Sequence, residues 1–316
     1  MCWRHFAVYA ESRSAMSSII LLFLCLVIGI VLQFVKSTAR NTHTVLNQFV
    51  INISLPAMAL FYIPKLQLSG ELLLPVLMPW LSILLACIIF ISLGKIFGWS
   101  RALTGCLIMT AGFGNTSFVG IPVIQALYGA EGLETLMMID LPGTFVALST
   151  IGIFIASVYS KGETNWKKIL KRMFSFIPFI AFIIAMLLNI MGLRIPEMAD
   201  EALGKIAATV SPLALVSVGF QLRIERKSPY WRFLVLGLFY QLILFPAIIF
   251  IGYKLILRKE GMMIDVCVIE AAMAPMITAC LVAAAHGLKP KLCNMMVGVG
   301  IPVSFITIAL WYWLLQ

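Results

Sequence analysis

Long apolar stretches, separated from one another by a few polar residues, run along almost the whole chain. A helix needs about 20 apolar residues to cross the hydrocarbon core of a bilayer. Measured against that length, the sequence predicts ten membrane-spanning helices. Their approximate ranges are 17–35, 44–63, 72–92, 103–128, 135–158, 170–190, 202–222, 231–253, 264–286 and 293–315. Spanning strands would alternate in short segments instead, so the predicted fold is an all-α polytopic membrane protein.

Composition agrees with this pattern. The chain is 62% hydrophobic and 11% charged, and its mean hydropathy is +1.04. A soluble domain of 316 residues carries much more charge to cover its surface. We therefore expect a lipid bilayer as the first partner of the chain. The apolar stretch from residue 17 is long enough to be a retained span rather than a cleaved signal.

The net charge of +10 is placed unevenly between the two sides of the membrane. Loops 1–2, 3–4, 5–6, 7–8 and 9–10 share one side and hold 15 of the 23 basic residues. The positive-inside rule places that side in the cytoplasm and both termini outside the cell membrane. The basic clusters are thus topology signals, with lipid headgroups as the alternative contact, and we expect no nucleic-acid partner.

Weak internal similarity relates the two halves of the chain. Gly94 and Gly252, and Gly129 and Gly287, share the same spacing. The predicted organisation is a tail (1–16), a first five-helix repeat (17–158), a basic cytoplasmic connector (159–169) and a second five-helix repeat (170–316). Because five is odd, the second repeat must insert upside down, which is the inverted-repeat plan of secondary transporters.

Helices four and nine contain helix-breaking residues near their middle. The fourth span holds GFGNTSFVGIP from Gly112 to Pro122, and the ninth holds Pro275. Paired breaks at corresponding positions indicate a transport site, where free peptide groups and helix N-termini favour an anion. The candidate substrate-binding residues are Asn115, Thr116, Ser117, Pro122, Pro275, Met276 and Thr278. The alternative is a pair of kinked helices whose glycines serve close packing.

Two acidic residues, Glu270 and Asp140, fall inside predicted spans. A charged side chain there costs on the order of 3 kcal/mol, so it usually faces a cavity or a partner. The functional interpretation is coupling to Na⁺ or to protons, and no other cofactor is expected. The alternatives are a structural carboxylate bonded to broken backbone for Glu270, and a shallow, solvated position for Asp140.

Catalytic patterns are missing from the sequence. The three histidines are far apart, no P-loop occurs, and the seven cysteines are scattered without a CxxC pair. We therefore expect no metal site, buried free thiols, and a protein that is not an enzyme.

The motifs GNTSFVGIPVIQALYG (114–129), EAAMAPMITACLVAAAHGL (270–288) and SLPAMALF (54–61) resemble the auxin efflux carrier family, especially its bacterial malonate or malate transporters. The resemblance implies ten spans that cross at prolines in helices four and nine, and alternating access between a scaffold and a moving domain. It implies that Asn115 contacts a substrate carboxylate, and that Asn52 of the second span also contributes. The long cytoplasmic loop of many plant members is absent, which argues against auxin as substrate.

The sequence therefore predicts a secondary carrier of small organic anions, with a homodimer as a further expectation. A channel, or a non-transporting receptor on the same scaffold, is the alternative. Substrate, direction of transport and coupling ion stay open.

Overall fold

The structure is a computed structural model that describes residues 20–36, 38–39, 41–66, 70–160, 175–222 and 228–316. The predicted tail (1–16) and most of the predicted connector (159–169) lie outside these ranges. Within them the secondary structure is helical, apart from one isolated β-bridge. The helices are α1 (Ile20–Leu32), α2 (Thr42–Lys65), α3 (Gly70–Ile96), α4 (Arg101–Gly112), α5 (Thr116–Tyr159), α6 (Ile177–Ile190), α7 (Glu197–Gln221), α8 (Trp231–Ile256), α9 (Met262–Ala271), α10 (Ile277–Ala285) and α11 (Pro290–Leu315).

Among the described residues, six helices are long and apolar enough to cross a membrane: α2, α3, α5, α7, α8 and α11. Helix α5 joins the second half of the predicted fourth span to the fifth. It kinks at Gly129, where φ is 65° and ψ is −152°, a conformation that glycine adopts without a steric penalty. Helix α7 begins at Glu197, earlier than the predicted 202, because a polar first turn precedes its apolar stretch.

Two glycines bring α1 and α7 into direct backbone contact. A Cβ atom added to Gly29 would overlap the carbonyl oxygen of Val216 and lie 2.9 Å from the Cα of Gly219. Small residues allow this kind of close helix packing in membranes. Gln33 adds hydrogen bonds from its side-chain amide to the carbonyl oxygens of Gly219 (2.8 Å) and Leu222 (3.1 Å). The glycine contact and the hydrogen bonds of Gln33 together hold α1 against α7.

The site lies where α4 and α5 meet α9 and α10. Helix α9 packs against α3, α5 and α8. Polar side chains tie these helices together, since the Tyr240 hydroxyl of α8 donates a hydrogen bond of 2.6 Å to the carbonyl oxygen of Ser82 in α3. Both residues are buried, so the core around the interrupted helices contains satisfied polar contacts rather than apolar packing alone.

Candidate functional site

The first interruption separates α4 from α5. Helix α4 ends at Gly112 and α5 begins at Thr116. Gly112 packs so closely on α3 that an added Cβ would lie 2.7 Å from the Cδ1 atom of Ile83. Asn115 caps the next helix, because its Oδ1 atom accepts a hydrogen bond of 3.1 Å from the Phe118 N–H. This is the role that asparagine commonly takes at a helix N-terminus.

The second interruption separates α9 from α10. Helix α9 ends at Ala271 and α10 begins at Ile277. Pro275 lies between them and carries no N–H, and it also disfavours a helical conformation at the residue before it. Met276 has extended backbone angles, φ −67° and ψ 122°. The chain therefore leaves the helix for a few residues and starts a new one.

The two interruptions touch. Gly114 and Pro275 form the isolated β-bridge, and it is antiparallel. The Asn115 N–H donates a hydrogen bond of 2.7 Å to the Ala274 carbonyl oxygen, and the Met276 N–H donates one of 2.9 Å to the Phe113 carbonyl oxygen. Interrupted backbone inside a membrane needs such partners, because no water satisfies it there.

This pairing corrects one expectation. The sequence predicted that both interruptions leave their peptide groups free, but the amides of Asn115 and Met276 are already bonded across the bridge. The reason is that two unpaired segments so close together satisfy each other at less cost than either would incur alone. Donors that remain for an anion must come from side chains or from the first turns of α5 and α10.

The Asn115 side chain provides one such donor. The residue is 1% exposed, and its Oδ1 atom is used by the cap. Its Nδ2 atom is buried and has no hydrogen-bond partner among the described residues. A buried amide that lacks an acceptor is costly, so this group is the best-placed donor for an incoming anion.

The hydroxyl groups of Thr116 and Ser117 are hydrogen-bonded within the protein. Each hydroxyl donates a hydrogen bond of 2.5 Å to the Oδ1 atom of Asp140 in α5. In this conformation the Asp140 carboxylate accepts the protons of both hydroxyls, and the role of Thr116 and Ser117 in substrate binding stays a prediction. Asp140 itself is 2% exposed, so the alternative of a shallow, solvated Asp140 does not hold.

Glu270 lies at the end of α9 and is 1% exposed. Neither of its carboxylate oxygens has a hydrogen-bond partner in the described part of the chain. The carboxylate lies against Gly120, where an added Cβ would come within 2.6 Å of Oε1 and 2.7 Å of Oε2. The alternative of a structural carboxylate bonded to broken backbone therefore does not describe Glu270.

A cavity of about 10 Å³ lies beside the bridge, and it has space for roughly one water molecule. Polar groups from four helices line it: Ser82, Thr116, Thr144, Gln241 and Glu270. Across the described ranges, none of the ion pairs includes Asp140 or Glu270. A space of this size fits a water molecule or a small cation, and it excludes a carboxylate substrate.

Sequence reasoning missed Gln241. This residue is 2% exposed and lies in the middle of α8, in the π-helical turn Tyr240–Leu244. Its Nε2 atom donates hydrogen bonds of 3.0 Å to the Phe113 carbonyl oxygen and 3.1 Å to the Ala274 carbonyl oxygen. The argument that singled out Glu270, a polar side chain deep in an apolar span, would also have found it.

The remaining predicted residues lie around this centre. Pro122 is buried in the first regular turn of α5, beyond the π-helical turn Thr116–Gly120. Met276 flanks α10, and Thr278 is half-buried in its first turn. Asn52 is exposed on α2, so the structure does not bring it to the bridge. Its role stays a prediction.

No group of three or more histidine, cysteine or acidic side chains that could hold a metal occurs in the described residues. Six cysteines of these ranges are free thiols, and five of them are buried.

Comparisons with known proteins extend these observations. A family model described as membrane transport protein matches residues 14–312. An uncharacterized transporter of Methanocaldococcus jannaschii is 29% identical over 308 residues, covering 94% of this chain and 98% of the relative. An uncharacterized transporter of Methanothermobacter thermautotrophicus is 26% identical over 309 residues, covering 96% and 98%. The similarity therefore includes both interrupted helices.

Proposed function

Because the chain belongs to the membrane transport protein family, as an auxin efflux carrier family transporter, we propose that it is a secondary active carrier of small organic anions. The substrates are small carboxylates, and transport is coupled to Na⁺ or to protons. The carrier lies in the cell membrane with both termini outside. Its ten spans form two inverted halves, and α4–α5 and α9–α10 are the crossing helices.

The antiparallel bridge between Gly114 and Pro275 is the observation that carries this proposal. Two helices related by an inverted repeat run in opposite directions through the membrane, so their broken segments meet antiparallel. Packing alone does not require that both helices break at the same depth. The bridge also directs the N-termini of α5 and α10 towards one region, where their partial positive charge favours an anion.

The uncharged character of the donors supports reversible binding. Asn115 offers an amide N–H rather than a lysine or arginine. Hydrogen bonds from neutral groups to a carboxylate are strong enough for binding but leave no permanent ion pair to break on release. A carrier must release its substrate on each cycle, so neutral donors suit the task.

Glu270 and Asp140 are the proposed coupling groups. Both are buried, and the oxygens of Glu270 lack partners within the described ranges. A buried carboxylate needs a compensating cation or proton. The cavity beside Glu270 has space for a particle of the size of one water molecule, which fits either Na⁺ or a water molecule that passes a proton to the carboxylate. The coupling particle and the substrate therefore occupy different places.

Proteoliposome flux tests this function. The purified protein is reconstituted, and uptake of labelled malonate, malate and acetate is measured with and without sodium and proton gradients. A carrier shows saturation and counterflow, which a channel does not. A receptor shows binding without flux. Absence of flux for every carboxylate, under both gradients and in both directions, would refute the proposal.

A further inference from the structure

We propose that Gln241 is the positioning residue of this site, which holds the two interruptions together and offers the coupling cation an oxygen ligand. The second half of this statement rests on the proposed function, whereas the first does not. Gln241 reaches the bridge from α8, a helix that is continuous from Trp231 to Ile256 and takes no part in the bridge itself. Gln241 therefore stabilises the contact between the two interrupted segments from a third helix.

The orientation of the Gln241 amide is fixed by its neighbours. The carbonyl oxygens of Phe113 and Ala274 can only accept hydrogen bonds, so the NH₂ group must face both of them. Each of these oxygens also accepts a bridge hydrogen bond, from Met276 and Asn115 respectively. A carbonyl oxygen has two lone pairs, so the bonds from Gln241 add to the bridge rather than compete with it.

The rest of the turn is anchored as well. Tyr240 is 1% exposed, and its hydroxyl bonds the Ser82 carbonyl oxygen at 2.6 Å. Its ring meets Phe90 edge to face, with 5.4 Å between the ring centroids. These contacts hold the turn against α3, so Gln241 has little freedom to swing away. The position of the Gln241 side chain beside both interruptions is therefore fixed by the packing of the surrounding helices and not only by its own rotamer.

The oxygen of the same amide is free. Gln241 Oε1 is buried and has no hydrogen-bond partner in the ranges that the structure describes. Gln241 and Glu270 both line the cavity, and the two carboxylate oxygens of Glu270 also lack partners among those residues. Three buried acceptors without a donor, on two residues that line a space of one water molecule, favour a small cation.

One planar amide thus links the cavity to the bridge. A cation on Oε1 polarises the amide and strengthens the hydrogen bonds that its NH₂ group donates. Those bonds end on the carbonyl oxygens that hold Asn115 and Met276. Occupancy of the cavity therefore stabilises the position of the Asn115 donor, and loss of the cation loosens it.

Hydrogen–deuterium exchange of the purified protein tests the positioning role without any substrate. In Gln241→Met, which keeps the shape and removes both polar atoms, peptides that contain the Asn115 and Met276 amides should exchange at least tenfold faster than in the wild type. Gln33→Met is the matched control, because the Gln33 amide also bonds two carbonyl oxygens, away from the bridge. Unchanged exchange at both amides in Gln241→Met, or equal acceleration in Gln33→Met, would overturn this role.

The ligand role is tested by thermal stability in sodium chloride against choline chloride. The wild-type protein should melt higher in sodium, and the shift should disappear in Gln241→Met and in Glu270→Gln but persist in Gln33→Met. The ligand role would be refuted if the melting temperature of the wild type did not change with sodium, or if Gln241→Met retained the full shift.

If Gln241→Met does not fold, Gln241→Glu serves in the exchange experiment. Glutamate keeps an oxygen and loses the NH₂ donors, so the Asn115 and Met276 amides should still exchange faster than in the wild type. Accelerated exchange in a protein that transports no carboxylate would refute the proposed function and leave the positioning role intact.

Discussion

The main-chain N–H of Asn115 donates a hydrogen bond of 2.7 Å to the carbonyl oxygen of Ala274, which lies in the other half of the chain. Together with the bond from Met276 to Phe113, it closes a short antiparallel bridge between two interrupted helices. Any motion that separates these helices exposes both amides in a medium of low dielectric. A carboxylate or water must then replace the lost carbonyl partners. At the bridge, hydrogen bonds from these amides to a substrate can therefore replace their hydrogen bonds to main-chain carbonyl oxygens.

The first prediction concerns the free amide of Asn115. Asn115→Ala removes the unpartnered Nδ2 donor, and we expect the KM for carboxylate uptake to rise roughly tenfold to hundredfold, since a hydrogen bond to a charged group contributes about 1.5–3 kcal/mol. The substitution also removes the cap on the Phe118 N–H, at a cost of about 1 kcal/mol. Initial uptake rates over a range of substrate concentrations measure the effect.

Asn115→Asp keeps the cap and removes the donor. Aspartate retains the capping oxygen but has no N–H to donate, so uptake should fail. Its melting temperature should also fall, because a carboxylate buried at this position has no compensating cation. Asn52→Ala tests the weaker candidate on α2, which is exposed. Wild-type KM in Asn115→Asp would show that this side chain does not contact the substrate.

The second prediction uses the contact between Gly120 and Glu270. Gly120→Ala places a Cβ within 2.6 Å of the Glu270 Oε1 atom, so the carboxylate must move, at a cost of about 1–3 kcal/mol for overpacking. We expect uptake to lose its dependence on sodium or pH, as it should in Glu270→Gln. Gly252→Ala is the control, because an added Cβ there would meet no atom within 4 Å other than its own chain neighbours and helix backbone. Retained cation dependence in both Gly120→Ala and Glu270→Gln would remove Glu270 from the coupling mechanism.

The third prediction distinguishes the charge of Asp140 from its acceptor role. Asp140→Ala leaves the hydroxyls of Thr116 and Ser117 without their acceptor, and each loss costs about 1–3 kcal/mol of stability. Asp140→Asn keeps an oxygen that accepts both bonds, so it should be more stable than the alanine variant. Its uptake then reports the contribution of the charge alone. Equal melting temperatures for the two variants would contradict the acceptor role.

The sequence predicted the interruptions from residues whose backbone preferences are local, namely the glycines and polar residues from Gly112 to Ser117 and Pro275. It also singled out Glu270, because a charge in an apolar span is conspicuous. It could not predict that Thr116 and Ser117 pair with Asp140, since the angle at which the chain returns after the kink at Gly129 depends on packing. The pairing of peptide groups across the bridge was missed for the same reason: it requires the distance between the two interruptions.

The last prediction tests the packing of α1 against α7. Gly219→Ala would force a Cβ into the carbonyl oxygen of Leu26 and to 3.0 Å from the Cα of Gly29. Backbone atoms cannot yield as a flexible side chain can, so the helices must separate, at a cost of about 1–3 kcal/mol. We expect a lower melting temperature in detergent for Gly219→Ala, and a similar fall for Gly29→Ala. Gly252→Ala, in the open surroundings of α8, should melt near the wild-type temperature. If the Gly219 variant melts no lower than the Gly252 variant, α1 and α7 do not pack through these glycines in the folded protein.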